Sequence, residues 1–147
     1  MVRIENRLTT FVVVLSCMVH FANAQAPTIL WQRSFGGTQA DVAYAVATTD
    51  DGGYLVAGQT ASNNYSVEGN HGGVDVWVVR LSATGDSIWQ KTYGGSGEDR
   101  AQGIVKTSDG NFVIAGTSNS QDGDVTGAHG NLDYWVIKID DYISRYT

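Results

Sequence analysis

The residues best spaced for chemistry lie in one run, Asp122-Gly123-Asp124-Val125-Thr126-Gly127-Ala128-His129-Gly130-Asn131-Leu132-Asp133. Oxygen side chains stand at its first, third, fifth and twelfth places and glycine at its sixth, the spacing with which a twelve-residue loop wraps calcium. A hard cation takes oxygen ligands from all sides; the glycine permits the sharp turn, and the twelfth residue closes the far side. Asp122, Asp124, Thr126 and Asp133 are therefore the candidate metal ligands, and calcium is the one candidate cofactor. Threonine at the fifth place and aspartate, not bidentate glutamate, at the twelfth weigh toward a plain polar connection, with Asp and Gly serving turns. In the earlier half of the chain Asn64, Ser66, Glu68, Gly69 and Asp75 hold the same places with fewer charges.

Other constellations carry less. His71 and His129 are each followed by glycine; single histidines suit loop hydrogen bonds better than zinc, which wants three or four ligands together. Asp75 and Asp133 precede apolar runs and can cap their loops through backbone N–H groups. Glu98-Asp99 and Asp50-Asp51 are neighbouring carboxylates, whereas glycosidase carboxylates must face each other across a bond. No nucleophile elbow, zinc-protease or P-loop motif is present, so no catalytic residue is assigned and the chain reads as non-catalytic. The four tryptophans, Trp31, Trp77, Trp89 and Trp135, recur two per unit, which favours packing between sheets over a sugar-stacking platform. Tyr44, Tyr65 and Tyr134 break the recurrence and are the candidate ligand contacts.

The elements that must position these residues follow from an internal repeat. Trp31-Gln32-Arg33-Ser34-Phe35-Gly36-Gly37 returns as Trp89-Gln90-Lys91-Thr92-Tyr93-Gly94-Gly95. The offset of 58 then holds without a gap, with 19 of 58 positions identical, too many for chance. Each unit predicts about four strands. In the first these are Val42–Thr48, Tyr54–Thr60, Asp75–Leu81 and Ser87–Tyr93; in the second, Gly103–Thr107, Asn111–Ser118 and Asp133–Ile139. Asp51-Gly52 and Asp109-Gly110 supply the positive φ of tight hairpin turns. Four-stranded meanders in tandem predict an all-β fold of two propeller-blade-like antiparallel units, a partial β-propeller. Ile29–Phe35 matches a fourth strand in isolation, as if completing a blade begun elsewhere. Two blades do not close a ring, so the chain reads as a fragment of a longer repeat array, with assembly of several chains or a small two-sheet sandwich as the alternatives.

Residues 1–24 read as a secretory signal peptide: Arg3 and Arg7, an apolar stretch from Leu8 to Phe21, then Ala22-Asn23-Ala24 with cleavage after Ala24. A lipoprotein signal acylated at Cys17 is the rival. The remainder divides into 25–88 and 89–147, one repeat each. The apolar stretch is short for a membrane span, so no integral span is expected after cleavage. Net charge is −6 and the nine basic residues are scattered, which argues against nucleic acid, whose phosphates need clustered Lys and Arg. Glycine, at 18 residues, recurs at matched turn positions and so reports the repeat, not a flexible chain.

These residues resemble a repeat of secreted proteins from Bacteroidetes-type bacteria. Its pattern runs W-x-K-x-[YF]-G-G-[ST]-x-x-D, then T-x-D-G-[GN]-[YF], A-G-x-[TS]-x-S, D-G-D-V, G-x-H-G and D-[YV]-W-V-[VI]-[KR]. The resemblance covers residues 31–139. It implies a propeller-like fold and an association with type IX secretion; some such proteins carry endoglucanase-like names. Thr84-Gly85-Asp86-Ser87-Ile88-Trp89 also resembles the end of the tryptophan-docking motif of quinoprotein propellers, which is structural and implies no quinone. The expectation is a secreted, periplasmic or cell-surface repeat protein with a structural or binding role toward a glycan, a surface protein or further repeats. The alternatives are an accessory module of a glycan-active enzyme and a calcium-dependent adhesion module.

Overall fold

The computed structural model describes residues 26–141; the leader and the cleavage site assigned to residues 1–24 lie outside them. Seven strands form two antiparallel sheets, with no helix among the described residues. Strands β1 (Asp41–Thr48), β2 (Tyr54–Thr60), β3 (Asp75–Leu81) and β4 (Ser87–Tyr93) make a four-stranded meander in chain order. Strands β5 (Asp99–Lys106), β6 (Phe112–Ser118) and β7 (Asp133–Ile139) make a three-stranded one. The architecture is thus all-β.

The repeat is reproduced at the level of register. Ala57 faces Val78 in the first sheet and Ala115 faces Val136 in the second. The β1–β2 ladder slips between Ala43 and Ala45, and the β5–β6 ladder between Ala101 and Gly103. A glycine answers each bulge, because a Cβ on Gly58 would collide with the Val42 carbonyl and one on Gly116 with that of Arg100. The hairpin turns place Gly52 and Gly110 at φ 81° and 84°, the left-handed region the Asp-Gly pairs predict.

Two strand expectations shift. Strand β5 starts at Asp99, earlier than the period-2 pattern indicates, because the bulge lets Asp99, Arg100 and Ala101 pair with Ser118, Thr117 and Gly116. Ile29–Phe35 is extended chain, not a hydrogen-bonded strand. It lies along the first sheet, with the Trp31 ring 5.8 Å from that of Tyr54 and packed over the Gly85 turn.

Alternation along the strands divides the core in two. Leu55, Ala57, Val76 and Val78 point from the first sheet toward Ala101, Phe112 and Ile114 of the second, and this inter-sheet layer is fully buried. The opposite face of the first sheet carries Trp77, Val79 and Leu81, packed with Val67, Phe35, Tyr54 and Val56. Strand β3 is therefore buried on both faces, which is why it reads as the unbroken run Val-Trp-Val-Val.

Candidate functional site

The long loops 61–74 and 119–132 and the glycine pairs before β1 and β5 meet at one end of the sheets, each organised by a single aspartate. Asp41 accepts from the Gly37 amide at 2.7 Å, from the Ser62 hydroxyl at 3.0 Å and from Thr60. Asp99 accepts from the Gly95 amide at 2.8 Å and from Ser120 at 2.7 Å. A carboxylate that gathers several donors satisfies a turn's backbone groups without a ladder. Where Thr60 donates to Asp41, Ser118 makes no such bond, and Asp99 Oδ1 is left buried without a partner.

A second buried carboxylate stands beside it. Asp75 Oδ2 accepts from the His71 amide at 2.8 Å and contacts His71 Nδ1 at 2.6 Å, while its Oδ1 has no partner. Both carboxylates crowd Gly94, where a Cβ would come within 2.6 Å of Asp99 Oδ2 and 2.9 Å of Asp75 Oδ1. Burial pushes the Asp75 carboxyl up; the His71 hydrogen bonds pull the other way, and the Asp99 charge adds to the rise.

The predicted calcium ligands are placed by this corner. Asp122 Oδ1 accepts from the Ser96 amide at 2.7 Å, which holds its carboxyl below the usual range. Asp124 Oδ2 accepts from the Gly94 amide at 3.2 Å. Asp133 turns to its own loop and caps the His129 amide at 2.7 Å, as Asp75 caps His71. Thr126 is exposed. Asp122 and Asp124 thus come together on residues 94–96, Asp133 serves a separate turn, and no group of three or more His, Cys, Asp or Glu converges among the described residues.

Compared with protein-family models and with curated proteins, the chain matches none.

The aromatics divide as the repeat suggests. Trp77 is buried and donates from Nε1 to Gln90 at 2.8 Å; Trp89 and Trp135 pack on the inter-sheet core. Tyr44 on β1, Tyr65 in the first long loop and Tyr134 on β7 are exposed. Tyr65 is also the one described non-glycine residue with positive φ, 56°, at the place where the second unit has Gly123 at 65°. Glu98 is exposed and pairs with Arg100 at 2.8 Å, whereas Asp99 is buried, so these neighbouring carboxylates serve different surroundings.

The opposite end of the sheets carries ion pairs that sequence reasoning missed. The buried Arg80 guanidinium binds Asp51 at 2.7 and 2.8 Å and Asp141 at 2.7 Å. Burial opposes the cation, but the two carboxylates outweigh it and raise the Arg80 pKa. Asp51 is held well below the carboxylate range by Thr49 and Arg80. Lys106 reaches Asp50 across the sheets, and Lys138 holds Asp109 within the second unit. The signal available was Arg80/Lys138 and Asp51/Asp109 recurring at one offset.

Proposed function

We propose that the chain is a secreted or cell-surface, non-catalytic repeat protein whose two sheets are blades of a propeller, and that it presents the loop end to a glycan or protein ligand. The observation that carries the binding role is Tyr65. A bulky residue in the left-handed region is strained by about 1 kcal/mol or more, and the equivalent place in the second unit uses glycine. Strain kept at an exposed aromatic points to a contact that folding itself does not need. The loop beneath is pinned by Val67 in the core and by Asn63 and Asn64 hydrogen bonds, so Tyr65 is presented on a fixed frame.

Tyr65→Gly separates the two demands. The variant is expected to gain up to about 1 kcal/mol in chemical denaturation while losing capture on a glycan array that the wild-type chain binds. Equal capture by both chains overturns the assignment. Hydrolysis of β-glucans abolished by Glu98→Ala would replace the binding role with an enzymatic one. Calcium belongs to the same proposal only as a candidate for residues 122–133; calorimetry with calcium chloride tests it, and absence of heat leaves a polar connection there.

A further inference from the structure

The inter-sheet interface is asymmetric: it joins one face of the first sheet to the opposite face of the second. The first sheet contributes Leu55, Ala57, Val76 and Val78; the second contributes Ala101, Phe112 and Ile114. Because the units repeat, each sheet also carries the face that the other one uses. On the second sheet the counterparts of Leu55, Ala57, Val76 and Val78 are Val113, Ala115, Tyr134 and Val136, and there Tyr134 is 95% and Val136 59% exposed. On the first sheet the counterparts of Ala101, Phe112 and Ile114 are Ala43, Tyr54 and Val56; Tyr54 and Val56 are half-buried beside Phe35, while Ala43 is exposed and Val46, the counterpart of Ile104 at the margin of the same layer, is 61% exposed. Between Phe35 and β1 this face opens into an apolar groove of about 110 Å³, lined by Val42, Ala43, Val56 and Val79. The two open faces are therefore the two halves of a contact the chain already makes once.

The strand edges agree with the faces. In the first sheet β4 covers the outer edge of β3, with Val76 opposite Tyr93 and Arg80 opposite Trp89. Among the described residues the same edge of β7 has no partner strand. The repeat mates of β4, Ile29–Phe35, lie extended on the first sheet without strand pairing, and Ile29 and Leu30 are exposed. Trp31 and Phe35 already occupy, against the first sheet, the place that Trp89 and Tyr93 occupy against the second.

We propose that a second copy of this chain docks head to tail. The second sheet of one copy sits on the first sheet of the next, and Ile29–Phe35 of that next copy pairs with the open edge of β7 as its fourth strand. Strand addition supplies the missing backbone bonds, and the apolar faces supply the burial. A head-to-tail contact either closes into a ring or propagates. The contact is argued from the repeat and its open faces and uses nothing of the proposed function. Ligand capture by Tyr65 is measured separately, so either can fail alone.

Mixing variants tests the contact by sedimentation velocity. The purified wild-type chain is expected to assemble beyond the monomer with rising concentration. Val136→Glu disables one face and Val46→Glu the other, so each variant alone sediments as a monomer. An equimolar mixture of the two restores one good contact and gives a 1:1 dimer that grows no further. Tyr134→Glu and Ala43→Glu replace them if circular dichroism shows an unfolded chain. A wild-type chain that stays monomeric up to about 1 mM, the weak end of measurable association, overturns the proposal. So does self-association that survives either variant, which would mark a two-fold contact or association through other residues, or folded variants that fail to pair.

Discussion

Strands β3 and β7 occupy the same place in the repeat, and both carry an apolar run around a tryptophan followed by a basic residue, yet their surroundings differ. Strand β3 is buried on both faces from Asp75 to Leu81; β7 alternates, with Tyr134, Val136 and Lys138 open to solvent. The backbone register is the same in both. What differs is neighbours: β3 has the second sheet on one side, with Phe35 and Val67 on the other, whereas among the described residues β7 has a neighbouring sheet on one side only. Burial here is a property of position in the stack, not of the strand. The same contrast separates Arg80, enclosed between two aspartates, from Lys138, half exposed on one.

The contrast is sharpest in the inter-sheet core. Phe112→Ala empties a fully buried site and is expected to cost about 3–5 kcal/mol. Its repeat mate Tyr54, only partly covered by Trp31, is expected to cost clearly less on the same change. Urea denaturation of both variants measures the gap, and equal losses would mean the two sheets are equivalently packed. Val78→Ala should cost on the order of 2 kcal/mol, against about 0.5 kcal/mol or less for Val136→Ala in the dilute monomer.

The smallest expected effect concerns the capping aspartates. Asp75 is raised by burial, so in the folded chain it gives up its proton later than in the unfolded one. Its favourable contribution is complete below the unfolded value of about 3.9 and is lost as pH rises through the folded value. Asp75→Asn keeps an acceptor for the His71 amide without the buried charge. It should therefore be more stable than wild type at pH 7, an advantage that vanishes below about pH 4. Thermal melts of Asp75→Asn and of the wild type across this pH range measure the effect; a difference in stability that does not change with pH would mean that the buried charge does not set it.

Much of this organisation was legible in the sequence. The spans of β2, β3, β4 and β7 coincide with the alternating or unbroken apolar runs, because period 2 and turn glycines are local properties. The Asp75 and Asp133 caps were also legible, since an aspartate four residues after a histidine lies within reach of that histidine's backbone amide. The Asp99–Gly94–Asp75 corner was not, because two sheets must dock before those carboxylates meet. Nor was the Arg80 cluster, whose partners lie 29 and 61 residues away. The calcium spacing illustrates the limit from the other side. Asp122 and Asp124 turn to the Gly94–Ser96 corner and Asp133 to the His129 turn, each accepting from a backbone amide, while Thr126 stays exposed.

One small feature reaches beyond the two sheets. Val74 and Glu98 form an isolated parallel bridge, with the Val74 amide donating to Gly97 O at 3.1 Å and the Asp99 amide donating back to Val74 O. These bonds tie the entry of β3 to the entry of β5 through backbone alone. They hold the rotation from one sheet to the next independently of which side chains fill the layer between. Substitutions in that layer can then change how tightly the two sheets hold each other, while the angle between them stays the same.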